Sequence, residues 1–156
     1  LWLFKLNLDD DFPLLLKSGV FGLDLEEFLF VLEIYIFLKL WNILEEKCVY
    51  TIIDHAEPVW KCKFHFCVDF MLTSCLDHTI RLYDLNNYKA RMSYRAHLDS
   101  VNSINWVPFS NNFISGSADK TVSLWDMRSN ICAQTYYGHN NAINCCAVEP
   151  SGNVHL

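Results

Sequence analysis

The chain repeats itself every 42 residues. His55, His97 and His139 stand 42 apart, as do Asp77 and Asp119, the pairs Tyr83-Asp84 and Trp125-Asp126, and the series Val59, Val101 and Ile143. So many coincident columns at one spacing restrict the chain to stacked copies of one supersecondary unit, because a single such unit cannot bury its own apolar faces. The two full units read HAEPVWKCKFHFCVDFMLTSCLDHTIRLYD and HLDSVNSINWVPFSNNFISGSADKTVSLWD, and a third begins at HNNAINCCAVEPSGNVHL.

Each unit predicts four short strands. Val59, Cys62 and Phe64 mark a first strand, as do Val101, Ile104 and Trp106 and then Ile143, Cys146 and Val148, while DFMLTSC and NFISGS mark a second. The turns LDHT and ADKT each carry an Asp able to bond its own turn backbone. TIRLYD and TVSLWD alternate as third strands, and KARMSYR and ICAQTYY supply the fourth. Four strands in about 42 residues is the blade of a β-propeller, whose sheets bury their faces against one another. The expected fold class is therefore all-β: a partial propeller of two full blades with a partial blade at each end.

These residues resemble the WD-repeat family. The resemblance rests on Gly138-His139, weakened to Asp54-His55 and Ala96-His97, on the Asp-x-Thr turn, and on Trp125-Asp126, softened to Tyr83-Asp84. It extends upstream, with Trp41-Asn42 in the same column as Trp125-Asp126, so that the register covers 37–156. The expected division is 37–54 as the end of one blade, 55–96 and 97–138 as full units, and 139–156 as a truncated one. The resemblance implies a hydrogen-bonded set of four side chains in each blade: His55, Thr73, Asp77 and Tyr83, then His97, Ser115, Asp119 and Trp125. The residue types suit such a series. An indole N–H only donates, a hydroxyl does both, imidazole relays and a carboxylate only accepts. Tyr83 places its donor further out than an indole, so its blade is expected to be the less tightly tied.

Ser115, His97 and Asp119 are also the residue types of a catalytic triad. Catalysis is rejected because the set recurs at the blade period, its hydroxyl is committed to an indole, and no nucleophile elbow accompanies it. No metal site is expected: neither Cys62, His65 and Cys67 nor Cys145-Cys146 has the paired spacing of closed zinc sites. The cysteine columns suit small residues of buried or half-buried strands instead, Cys62 and Cys146 sharing that of Ile104, Cys75 that of Ser117, and Cys48 and Cys132 that of Ala90. Only five glycines are present, without a phosphate-cradling loop, and no cofactor is expected. In propellers of the resembled family the loops before the first strands and the Asp turns form one rim, where partner proteins bind. The rim candidates are Glu57, Trp60, Leu76, Asp99, Asn102, Ala118 and Asn144. Trp60 stands out because its column otherwise holds Asn102 and Asn144.

Charge narrows the partners further. Residues 1–46 carry nine acids and three bases, whereas 47–156 carry nine of each. A neutral repeat region offers no basic stripe for phosphates or anionic lipid, so neither nucleic acid nor a membrane is an expected partner. The apolar neighbourhood Phe28 to Trp41 is interrupted by Glu33 and Lys39, well short of the ~20 apolar residues a spanning helix needs. Seven cysteines without a C-x-x-C pair suit a reducing compartment, and no signal peptide is read. Residues 1–36 carry no repeat, with Tyr35 where an Asp turn is due and Pro13 where a His is due. A divergent or mis-joined segment is expected there; LDLEEFLFVLEIYIF could make a hydrophobic helix, and an amphipathic docking helix is the functional alternative.

Within the WD-repeat family, CVYTIIDHAEPVWKCKFHFCVDF, LDSVNSINWVPFSNNF and SGSADKTVSLWDMRSNICAQTYYGHNNAIN look like a WD-repeat protein of the axonemal central apparatus. That resemblance implies a structural, non-enzymatic scaffold in the cytoplasm of motile cilia and flagella, with central-apparatus or microtubule-associated proteins as partners. The alternative is a WD-repeat adaptor of another complex, such as a substrate receptor of a ubiquitin ligase. At 42 residues per unit, 37–156 supplies 2.9 blades, whereas propellers close with roughly 4 to 8. The chain reads as a fragment, expected to be molten or oligomeric by itself.

Overall fold

The computed structural model describes residues 29–34, 37–42, 47–149 and 154–155. Every regular element among them is a strand. The first sheet is formed by β1 (Leu29–Ile34), β2 (Phe37–Asn42) and β3 (Lys47–Ile52). The second is a four-stranded antiparallel meander of β4 (Val59–Phe64), β5 (Phe70–Cys75), β6 (Ile80–Asp84) and β7 (Lys89–Tyr94). The third repeats it with β8 (Val101–Trp106), β9 (Asn112–Ser117), β10 (Val122–Asp126) and β11 (Cys132–Tyr136). The short pair β12 (Ala147–Val148) and β13 (Val154–His155) follows. The architecture is a partial β-propeller. No helix among the described residues is long and apolar enough to cross a membrane.

The 42-residue period acquires its physical meaning between the sheets. One core cluster joins Leu38, Leu40 and Ile52 to Val59, Cys62, Met71 and Tyr83. The next contains the same seven columns moved by 42, with Ile80, Leu82 and Tyr94 packed on Val101, Ile104, Phe113 and Trp125. A third starts the series again with Val122 on Ile143 and Cys146. Adjacent residues serve opposite interfaces, because side chains alternate across a strand: Met71 faces the first cluster and Leu72 the second, and Phe113 and Ile114 repeat the arrangement one sheet on. Burying seven such side chains per interface, at about 1.5–3 kcal/mol for each large one, is what holds neighbouring blades together.

The structure corrects three expectations. The segment for which a docking helix was the alternative forms a strand where it is described, β1, antiparallel to β2; residues 1–28 lie outside the described residues. Its register differs from that of the other sheets by one residue. Ile80 faces Ser74, so the repeat requires Leu38 to face residue 32, but Leu38 faces Glu33. A one-residue slip exchanges the two faces of a strand, which is why the repeat pattern cannot be followed into this segment. Second, the first strand expected over Ile143 to Val148 is regular only at Ala147–Val148; Ile143 instead donates its N–H to Ser117 O at 3.0 Å. Third, Cys48 is exposed rather than half-buried, because its strand β3 is the outer edge of its sheet. No disulfide joins any of the seven cysteines.

Candidate functional site

In the sheet β8–β11 the indole of Trp125 donates to Ser115 Oγ at 2.8 Å, and that oxygen lies 2.7 Å from His97 Nε2. His97 Nδ1 lies 2.9 Å from Asp119 Oδ2, which also accepts from the Leu98 N–H at 3.0 Å. The second carboxylate oxygen takes the Thr121 hydroxyl at 2.6 Å and the Thr121 N–H at 2.9 Å. A donor fills every acceptor in the series. With the indole proton pointing at Ser115, the hydroxyl faces Nε2 and the imidazole turns Nδ1 toward Asp119. Burial alone would raise the Asp119 carboxyl, but the bonds from Thr121, Leu98 and His97 outweigh it and hold it at about 2.

The sheet β4–β7 carries the same columns with a different outcome. His55 Nε2 lies 2.8 Å from Thr73 Oγ1, but the buried hydroxyl of Tyr83 has no partner. His55 Nδ1 also has none: Asp77 Oδ2 stands 3.8 Å away, beyond hydrogen-bond reach. Arg81 accounts for the separation. It takes Asp77 Oδ2 at 3.3 Å and donates to Asp54 O, whereas its counterpart in the next sheet is the small, buried Ser123. Burial and then the Arg81 charge push His55 down to about 4, so the ring is neutral. The repeats share bulges beside these positions: opposite Leu82–Tyr83 and Leu124–Trp125 the fourth strand carries one extra residue, Arg91 and Ala133 respectively.

The Asp turns and the loops before the inner strands meet at one end of the sheets. Leu76 N–H donates to Pro58 O and Ala118 N–H to Ser100 O, both at 2.9 Å. Cys75 Sγ reaches Glu57 O at 3.2 Å, and Ser117 Oγ reaches Asp99 O at 3.2 Å. At this rim Glu57, Trp60, Asp99 and Asn144 are exposed, and Leu76, Asn102 and Ala118 are half-buried. Trp60 and Asn102 are the extra residues of two further bulges, since Val59 faces Cys75 while Lys61 faces Ser74, and Val101 faces Ser117 while Ser103 faces Gly116. Being outside the ladder, both project from the inner strands.

Sequence reasoning missed a relay that links these rim residues across three units. Trp60 Nε1 donates to Ser100 Oγ at 2.8 Å, Ser100 Oγ donates to Asn102 Oδ1 at 2.8 Å, and Asn102 Nδ2 donates to Ile143 O at 2.9 Å. Trp60, Asn102 and Asn144 line an open depression of about 370 Å³. Of the titratable clusters weighed from spacing, His65 Nδ1 and Cys67 Sγ are 2.8 Å apart while His65 Nε2 faces Ser110 O at 3.3 Å. His55, Cys75 and Asp77 converge as well, with one ligand-type atom from each lying within 4.8 Å of the others. Their spacing gives no motif; the available signal was Cys75 in the column of Ser117.

The family described as WD domain, G-beta repeat matches residues 46–84, 88–126 and 130–156. The chain is 28% identical over 104 residues to cell division control protein 4 of Saccharomyces cerevisiae, covering 67% of this chain and 13% of that protein. It is 30% identical over 86 residues to WD repeat-containing protein pop1 of Schizosaccharomyces pombe, covering 55% of this chain and 11% of that one. To mitogen-activated protein kinase kinase kinase A of Dictyostelium discoideum it is 33% identical over 79 residues, or 50% of this chain and 8% of that protein. The chain thus spans a small part of each relative. The matched units begin 42 residues apart, on sheets whose cores and internal bonds recur at the same interval, and the chain accordingly belongs to the WD-repeat family of protein-interaction scaffolds.

Proposed function

We propose that the chain is part of a non-enzymatic propeller scaffold that grips partner proteins at the rim bearing Trp60, Asn102 and Asn144. Trp60 carries the reading. Its side chain is 50% exposed, yet its indole is pinned by Ser100 of the next blade, so a large aromatic surface stands ready with little entropy left to lose on binding. The carboxylates of Glu57 and Asp99, exposed on the same rim, favour a partner segment combining apolar and basic side chains. A non-enzymatic role is supported by Ser115, which is fully buried with its oxygen engaged by both Trp125 and His97, leaving a substrate no approach.

The resemblance of 37–156 to an axonemal central-apparatus protein supports placing this scaffold in cilia and flagella, with central-apparatus or microtubule-associated proteins as partners. A second reading, an adaptor of another complex such as a ubiquitin ligase, draws on relatives named for cell division control and for a protein kinase. Co-sedimentation of the chain with isolated axonemes separates the two. Binding that is lost in Trp60→Ala supports both the rim and the axonemal placement. Recovery of the chain only in the soluble fraction defeats that placement, and unchanged binding by Trp60→Ala defeats the rim.

A further inference from the structure

We propose that His55, Cys75 and Asp77 form a zinc site at the rim end of the first full blade, favoured by two departures from the sister blade: Tyr83 for the Trp125 column and Cys75 for the Ser117 column.

The first departure frees the Thr73–His55 pair from the indole that fixes its counterpart in the sister blade. In the sister blade the Trp125 indole occupies a lone pair of Ser115, the hydroxyl faces His97 Nε2, and the ring turns Nδ1 toward Asp119. No indole reaches Thr73. The Thr73 hydroxyl pairs with His55 Nε2 across 2.8 Å, and with the ring proton on Nε2 the His55 Nδ1 presents its lone pair inward, where an ion can take it. That nitrogen belongs to a side chain that is 0% exposed, has no hydrogen-bond partner, and lies 3.8 Å from a carboxylate oxygen. A cation between that nitrogen and the carboxylate would satisfy both.

The second departure supplies a soft ligand at the same point. Cys75 is fully buried, and its sulfur, His55 Nδ1 and an Asp77 oxygen lie within 4.8 Å of one another. Nitrogen, sulfur and carboxylate oxygen are the ligand types of Zn²⁺, with bonds of about 2.0–2.3 Å, and three protein ligands with a fourth position left to water is a coordination it adopts. The supporting shell is in place. Thr73 fixes the imidazole, the Thr79 N–H and hydroxyl fix Asp77 Oδ1, and the Asp77 N–H approaches Cys75 Sγ at 3.4 Å. On binding, the Cys75 S–H gives up its donation to Glu57 O and releases its proton to solvent, so that thiolate and carboxylate balance the ion. Arg81, 3.3 Å from Asp77 Oδ2, competes with the metal for that carboxylate.

The test is titration of the chelator-treated 156-residue chain with Co²⁺ as a coloured probe, followed by Zn²⁺. One equivalent of Co²⁺ is expected to give the absorption of a tetrahedral ion together with a thiolate-to-cobalt charge-transfer band, and Zn²⁺ to bleach both. Cys75→Ser, which installs the sister blade's residue and so keeps the fold, removes the charge-transfer band; Cys67→Ser leaves it. Tyr83→Trp returns an indole to Thr73 and weakens binding about 10–100-fold, the range for loss of a ligand's supporting partner. Arg81→Ala tightens it. The proposal is overturned if no thiolate band appears at one equivalent, if the band survives in Cys75→Ser and His55→Gln, or if Tyr83→Trp and Arg81→Ala both leave the affinity unchanged.

Discussion

Trp125 Nε1 lies 2.8 Å from Ser115 Oγ, and this one donor orders the whole side-chain series of its blade. Removing the acceptor orphans groups on both sides of it. Ser115→Ala leaves a buried indole N–H and a buried imidazole nitrogen without partners, at about 1–3 kcal/mol for each. Hydrogen exchange should show the loss of protection in β8–β11 well before any in β4–β7; equal loss in both sheets would show that the bond is not local in effect.

Tyr83→Trp is the converse experiment. An indole at Tyr83 would bring to Thr73 the donor that the tyrosine hydroxyl, buried and without a partner, cannot supply. A gain on the order of 1 kcal/mol in the protection of β4–β7 is expected. A loss would mean that the larger ring overfills the interface with Leu38 and Met71.

Asp119 gives the fold a dependence on acid. Its carboxyl sits at about 2 in the folded chain against an ordinary value near ~3.9 once unfolded. A depressed carboxyl contributes stability that is complete above about pH 4 and disappears as the pH falls toward 2. The contribution is on the order of 2 kcal/mol. Near-ultraviolet circular dichroism between pH 5 and 2 should therefore fall less steeply for Asp119→Asn than for the unaltered chain, and parallel curves would refute the assignment.

Gly116 is required by close approach. A Cβ built there would stand 2.7 Å from Ile143 Cγ2, so Gly116→Ala must displace Ile143 and with it the bond from Ile143 N–H to Ser117 O. A cost of about 1–3 kcal/mol, typical of overpacking, should appear as faster exchange of the Ile143 amide. Unchanged exchange would mean that the third unit moves aside freely.

The outer faces of the end sheets lead to a prediction about assembly. Leu124 and Tyr136 are only partly buried against Ile143 and Cys146, whereas their counterparts Leu82 and Tyr94 are each 1% exposed beneath the next sheet. The chain by itself is expected to elute above its 18.2 kDa mass in size-exclusion chromatography with light scattering. A single monomeric peak with a sharp melt would contradict this.

The blade was legible because its determinants are local and periodic. Histidine, turn Asp and third-strand aromatic sit in fixed columns, and alternation within strands assigns each apolar residue to an interface. What could not be read depends on departures from that regularity. The slip of β1 lies in its pairing with β2, invisible without knowing the partner. The projection of Trp60 depends on a bulge, and no residue type announces one. The separation of His55 from Asp77 depends on Arg81, four positions beyond the turn Asp, whose reach only geometry reveals. The substitution at Tyr83 was visible, but the orphaned Nδ1 of His55 was not.

Because Trp60 and Asn102 stand outside the strand ladder, they are exempt from the alternation that commits every neighbour to one interface or the other. A substitution at either position alters what the molecule touches and the polar relay between units, while the apolar packing between the sheets is left to other residues. Recognition can therefore drift through evolution while the ring that displays it stays as it is.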